Sequence, residues 1–364
     1  MRLLVLTTLA LVLAACSGDT ASQPNIASPT VRPTLAEPPT PPTVPTALAT
    51  PIPLINVDDM MGMYPQQTVF VATANHVTAV TLLNHFTRYQ IGTEGFAEVS
   101  ADPSARWLYV LDADAPGSRR LRIFDVPGGS QRGIVAGLTN VPEGGHTLGV
   151  SAGGRVLLLK SDSTHAWVDT YEATTLQPLG AIMQAGPCSD RLLTSANRIA
   201  TVCSSTGAIA VNNLRGTTGG IDGALSNVVG AAMADTGALY IASADEHLAS
   251  VASGGSTLVP IAWPAEWSGS ILPDGLALAQ GGQSIVLAET NEEGAWLRLS
   301  LAADLTQRKS LRLAGAPHGG ILAMWPFAYY ALGRTIRHVD LNTGLLETMA
   351  EIGPEAVAAA VVNG

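Results

Sequence analysis

Six residues stand where they could do chemistry together: Glu94, Glu143, His146, Asp274, His318 and Glu355. Each lies beside Gly or Pro, just ahead of a short apolar run. The contexts are Thr93-Glu94-Gly95, Pro142-Glu143-Gly144-Gly145-His146, Leu272-Pro273-Asp274-Gly275, Ala316-Pro317-His318-Gly319 and Gly353-Pro354-Glu355. Carboxylates and imidazoles are the groups that ligate metal ions, hold cations and move protons near neutral pH. If these loops converge, they form a binding site for a metal ion or a cationic ligand. The competing reading is a set of solvated turn residues, since Pro and Gly steps also simply begin strands. The chain has no Gly-x-Ser-x-Gly elbow, His-Glu-x-x-His helix, phosphate-binding Gly loop or dinucleotide fingerprint. The balance is toward a binder rather than an enzyme, and no residue is assigned a catalytic role.

The elements that must position these residues repeat. FAEVSADPSARWLYVLD, TLGVSAGGRVLLLKSD, SDRLLTSANRIATVCSS, VGAAMADTGALYIASAD, LALAQGGQSIVLAET and ILAMWPFAYYALG each read as two short strands around a tight turn. The turns fall at Asp102, Gly153, Asn197, Asp235, Gly281 and Pro326, spaced by 51, 44, 38, 46 and 45 residues. A third strand such as LRIFDV or TIRHVDL follows most hairpins, and a weaker fourth follows that. Four antiparallel strands per 40–45 residues is the pattern of a β-propeller blade.

Two remnants flank the six copies. TVFVATANHVTAVTLLNHFTRYQIG lacks a first strand, and EAVAAAVVNG at the C-terminus supplies one. Joining them makes a further blade and removes two open sheet edges. The expected fold is all-β: a seven-bladed propeller of four-stranded antiparallel blades, its ring closed by the C-terminal strand. Six or eight blades are the alternatives, because the copy at 205–230 is irregular. In such a ring the loops feeding the inner strands gather at one mouth of the central channel, where the six residues above would meet.

The hairpin endings WLYVLD, ALYIASAD and SIVLAET, with third strands LRIFDVPGG, AWVDTYEATTLQPLGAI and IRHVDLNTGLLETMAEI, resemble the YVTN-type propeller repeat family. The resemblance spans about 300 residues in degenerate copies. It implies the propeller fold and an extracytoplasmic binding role, and it implies no reaction. The Trp-Asp dipeptide of the Trp-Asp repeat family is missing, and its Gly-His occurs once, at Gly145-His146, without repeating.

The N-terminus reads MRLLVLTTLALVLAAC. A charged start, an apolar run from Leu3 to Leu13 and small residues make residues 1–15 a secretory signal, and the run is too short to span a bilayer. Leu13-Ala14-Ala15-Cys16 resembles the bacterial lipobox, which implies cleavage before Cys16 and acylation of its sulfur by membrane lipid. The alternative is an ordinary secretory signal with an incidental Cys. Residues 16–56 are rich in Ser, Thr, Ala and Pro, with ten of the 23 prolines between Pro24 and Pro53. That composition makes a tether without a core, extended at about 3.1 Å per residue. The propeller then occupies residues 57–364. The expected location is extracytoplasmic, lipid-anchored to a bacterial membrane, with a protein, peptide or glycan as partner. A net charge of −10 and the absence of a basic stripe argue against nucleic acid.

Cys188 and Cys203 flank a predicted hairpin turn and should be cross-strand neighbours, within reach of a disulfide. Two buried thiols or a metal pair are the alternatives. No cofactor is expected beyond the metal ion that the channel could hold. Arg119, Arg120 and Arg122 read as outward-facing strand residues. His76, His85, His165, His247 and His338 read as surface histidines on outer strands or their turns.

Overall fold

Strand Thr68–Thr73 is buried along its whole length, although alternate side chains point to opposite faces of a sheet. The reason is that both faces are covered. Phe70 and Ala72 pack with Leu108, Val110 and Phe124 on one side. Val69 and Val71 pack with Tyr329, Ala331 and Ile336 on the other. The same two-sided burial explains the apolar runs WLYVL and VLLL.

The computed structural model describes residues 68–362, apart from positions 83–84, 96, 103–105, 144–145, 152, 187, 197, 214–216, 224, 245–246, 303–304, 307–308 and 354–355. The leader, the tether, Cys16 and Glu355 fall outside the described residues. Among those described, the strands form seven four-stranded antiparallel sheets, one per blade of a β-propeller. Blades 2 to 7 are contiguous in sequence, at residues 98–138, 148–185, 191–220, 228–260, 270–312 and 318–351. The irregular copy is blade 4, whose outer strand is the short Thr217–Gly220. Blade 5 ends in only two outer-strand residues, Val259–Pro260.

Blade 1 takes strands Thr68–Thr73, His76–Thr81 and Thr87–Gly92 from the N-terminal side and Ala356–Val362 from the C-terminal side. The closing pair is antiparallel, with Thr68 opposite Val362 and Ala72 opposite Ala358. His76 Nε2 also meets the Ile352 carbonyl at 2.9 Å, so blade 7 is tied to blade 1 on leaving its last strand. Each apolar cluster lies between two successive blades. Fully burying one such Val, Leu or Ile contributes about 1.5–3 kcal/mol, so the wedges hold one another in place.

Cys188 and Cys203 form a disulfide, with Cα atoms 5.2 Å apart. It brackets the inner hairpin of blade 4.

The structure corrects one reading of the arginines. Arg119 and Arg122 are buried rather than outward-facing. Arg122 Nη2 donates to Asp112 Oδ2 at 2.8 Å, and Arg120 reaches the same carboxylate through Nε and Nη2 at 3.0 and 2.9 Å. Asp112 is fully buried. Blade 6 repeats the device: Glu289, also fully buried, pairs with Arg298 in the matching diagonal register. A charge in an inter-blade layer must be paired, because desolvating it alone is costly.

Candidate functional site at the channel mouth

The inner strands surround a cavity of about 220 Å³, lined by residues of blades 2 to 7. Two of the residues singled out from sequence meet there. His146 closes the loop into blade 3, and its backbone bridges in parallel to Arg191 of blade 4. The His146 carbonyl accepts from Leu192 N at 2.6 Å. Those contacts aim the imidazole across the mouth, where Nε2 lies 2.9 Å from Asp274 Oδ1 of blade 6.

Asp274 sits in an irregularity of strand Ser270–Ala279, where the register with its partner slips between Ile271 and Leu276. Its φ of 53° is left-handed, a conformation that aspartate tolerates better than most residues. The backbone of blade 7 comes close: a Cβ added at Gly320 would lie 2.7 Å from the Asp274 Cβ. Arg191 Nη1 donates to the same Oδ1 at 2.5 Å, while its Nε donates to Ser204 Oγ at 2.9 Å. Asp274 therefore carries a guanidinium and an imidazole on one oxygen.

Below this group lies Glu98 on the inner strand Glu98–Ala101 of blade 2, 4% exposed. It accepts from Thr147 N at 2.6 Å, Thr147 Oγ1 at 2.9 Å, Leu148 N at 3.1 Å and Arg119 Nη1 at 3.3 Å. Burial pushes its pKa up, opposed by Arg119 and the Thr147 hydrogen bonds. Burial pulls the His146 imidazole down, but the hydrogen bond and charge of Asp274 outweigh it and raise its pKa. Burial alone would raise Asp274, yet His146 and Arg191 hold its carboxyl well below the usual range. The arrangement is charge-balanced, and it links blades 2, 3, 4 and 6. A dication brought to Asp274 would face the Arg191 guanidinium.

Glu94 and Glu143 do not join this group. They line a second cavity of about 780 Å³ on the same face of the ring. Its walls are the connection 113–118 between two strands of blade 2 and the chain leaving that blade. Ala113, Pro116, Leu138 and Val141 give it apolar walls; Glu94, Asp114 and Glu143 give it three carboxylates against the one guanidinium of Arg119, which is paired with Glu98. The Glu94 carboxylate is 68% exposed, 3.7 Å from Arg120. Asp114 accepts from Gly137 N at 2.9 Å. His318 is exposed at the start of strand His318–Met324, next to Gly319 and Gly320, which do line the channel.

Sequence reasoning missed Glu98 and Arg191. Both lie on inner strands, Glu98–Ala101 and Arg191–Thr194, rather than in the loops that feed them. A charged residue inside an inner-strand run, as in FAEVS and SDRLL, was the available signal.

Comparison with known proteins bears on the fold. No protein-family model matches the chain, and no curated protein matches it. Among solved structures it is similar to a putative 6-phosphogluconolactonase from Bacteroides uniformis, at a TM-score of 0.57 and 12% identity over 82% of this chain and 100% of that one. It is also similar to hydrazine synthase of Kuenenia stuttgartiensis, at 0.56 and 9% over 79% and 93%. A third neighbour is apo AztD from Citrobacter koseri, at 0.50 and 12% over 82% and 99%. Identities this low carry the propeller and no more.

Proposed function

We propose that this protein is an extracytoplasmic, lipid-anchored propeller that binds or scaffolds a protein, peptide or glycan. The repeats are of YVTN type, and Cys16 carries the lipid. One observation supports the binding role above all: the polar groups of the channel are engaged with one another, whereas the acidic, partly apolar groove beside blade 2 faces solvent. A groove of about 780 Å³ is large enough for several side chains of a partner. Its carboxylates suit a basic segment. The Cys188–Cys203 disulfide agrees with an oxidising compartment, and no described helix is long and apolar enough to cross a membrane.

The test is a pull-down from intact membranes with wild-type protein and a Glu94→Lys/Glu143→Lys double variant. A partner captured by the wild type and lost from the variant supports the groove. A partner retained equally by both overturns it. Cys16→Ser should move the protein from the membrane fraction to the soluble one, and a wild type that is already soluble refutes the anchor.

The second reading is an enzyme of the metal-dependent hydrolase or lactonase type, with its site in the channel. It draws on the His146 imidazole, 47% exposed and oriented by a carboxylate, the geometry of a general base. Bound metal lost on changing His146 and His318 to Ala would favour it. Metal-free protein with unchanged stability after those changes would sink it.

A further inference from the structure

His85, His338 and Glu347 converge on the rim of the ring where blade 7 meets blade 1. One ligand atom from each lies within 4.8 Å of the other two. His338 is on the third strand of blade 7, Thr335–Asp340, and Glu347 is directly opposite it on the fourth, Leu346–Glu351. Their Nε2 and Oε2 atoms are 3.3 Å apart. His85 belongs to blade 1, in the turn between His76–Thr81 and Thr87–Gly92. That turn and the end of strand Thr335–Asp340 lie on the face of the ring opposite the loops that feed the inner strands. The channel mouth and the acidic groove are therefore elsewhere.

The histidines are not the plain surface residues that their positions in sequence suggest. His338 is 8% exposed and packs against the rings of Phe327 and Tyr329, with centroids 5.1 and 6.1 Å away. The His85 ring meets it edge-on at 5.1 Å. His85 holds a left-handed φ of 60°, fixed by hydrogen bonds from His85 N and Phe86 N back to Thr81. His85 thus presents its imidazole to that of His338.

We infer that His85, His338 and Glu347 form a binding site for a zinc-like divalent transition metal that clips blade 1 to blade 7. Two imidazoles and one carboxylate are a familiar zinc ligand set, with bonds of about 2.0–2.2 Å. A tetrahedral ion with such bonds holds its ligand atoms about 3.3–3.6 Å apart. The His338–Glu347 pair already has that separation. The His85 ring, on a side chain outside the blade core, closes the remainder by a small rotation. Three protein ligands leave the fourth position to water. The aromatic floor under His338 limits solvent and fixes the ring, as supporting groups around metal ligands do.

The position gives the metal a consequence. His85 comes from the N-terminal part of the propeller, and His338 and Glu347 come from its last contiguous blade. The site exists only when the ring is closed, so an ion bound there stabilises the closed ring by mass action.

The experiment is a zinc titration of metal-stripped, full-length protein, followed by calorimetry and by thermal unfolding with and without zinc. The wild type should bind one equivalent, and its melting temperature should rise with zinc and fall back with chelator. His85→Ala and Glu347→Gln should each weaken zinc binding at least tenfold and abolish the zinc-dependent rise. Their metal-free melting temperatures should stay at the wild-type value, because neither side chain is in the apolar core. His146→Ala should retain the one equivalent. A wild type that binds no stoichiometric zinc, variants that bind as the wild type does, or loss of the ion from His146→Ala instead would each overturn the site.

Discussion

The channel mouth and the groove beside blade 2 share a face of the ring and use similar residues to opposite ends. In the channel, Glu98 and Asp274 are surrounded by donors from neighbouring blades, and every charge has a counter-charge within hydrogen-bonding distance. In the groove, Glu94 and Glu143 project from turns and remain exposed. A buried carboxylate is stable only with partners, so the channel charges act as mortar between blades. An exposed carboxylate keeps its hydration until a partner displaces it, so the groove charges are suited to recognition.

The strongest way to break this contrast is to remove a wall of the channel. Deleting residues 356–364 takes away the inner strand of blade 1 and reopens the ring. The expected outcome is loss of a cooperative thermal transition by calorimetry; unaltered unfolding would refute closure by the C-terminal strand.

Next in size is Glu98→Ala, which removes the counter-charge of the buried Arg119 guanidinium and the acceptor of the backbone donors at Thr147 and Leu148. Breaking a buried pair in this way costs about 3–5 kcal/mol, read from the shift of a urea midpoint.

Asp274→Ala should cost less, about 1–3 kcal/mol, since the carboxylate is 30% exposed and its pairs are partly screened. The sign of its pH dependence follows from the two shifts. His146 is raised, so its contribution is complete below the ordinary histidine pKa and fades as pH climbs through the folded value. Asp274 is depressed, so its contribution is present above the ordinary aspartate pKa and fades as pH falls through the folded value. The pair stabilises most between roughly pH 4 and 6.5. Asp274→Asn should flatten the stability profile above that window; an unchanged profile would show that His146 titrates independently of it.

The smallest effect on stability belongs to the groove. Glu94→Lys/Glu143→Lys should leave the melting temperature where it was while reducing partner capture in the pull-down by tenfold or more. A large loss of stability would place these residues with the structural charges and erase the contrast.

Much of the ring was legible before the structure. The hairpins at Asp102, Gly153 and Asp235 announce themselves because a strand buried on both faces needs an unbroken apolar run, and a turn needs Asp, Gly or Pro. Cys188 and Cys203 were readable for the same reason, as residues flanking one hairpin. The site was legible only in part. His146 and Asp274 were marked by Pro-Glu-Gly-Gly-His and Pro-Asp-Gly, but their partner Arg191 looked like any strand arginine. Arg119 and Arg122 looked like surface charge, and His85 and His338 looked unrelated.

By itself, the sequence determined where the hairpins lie and where they turn; seven blades closed by the last strand were its expectation, with six or eight open until the structure showed seven. Hairpins and turns are local properties, since alternation, apolar runs and turn residues act within a few positions. Only the tertiary structure decided which charges meet. Asp274 finds His146 and Arg191, and His85 finds His338 and Glu347, across blades that are distant in the chain. The wedge angle and register of the ring set those pairings, and no short stretch of sequence carries that information.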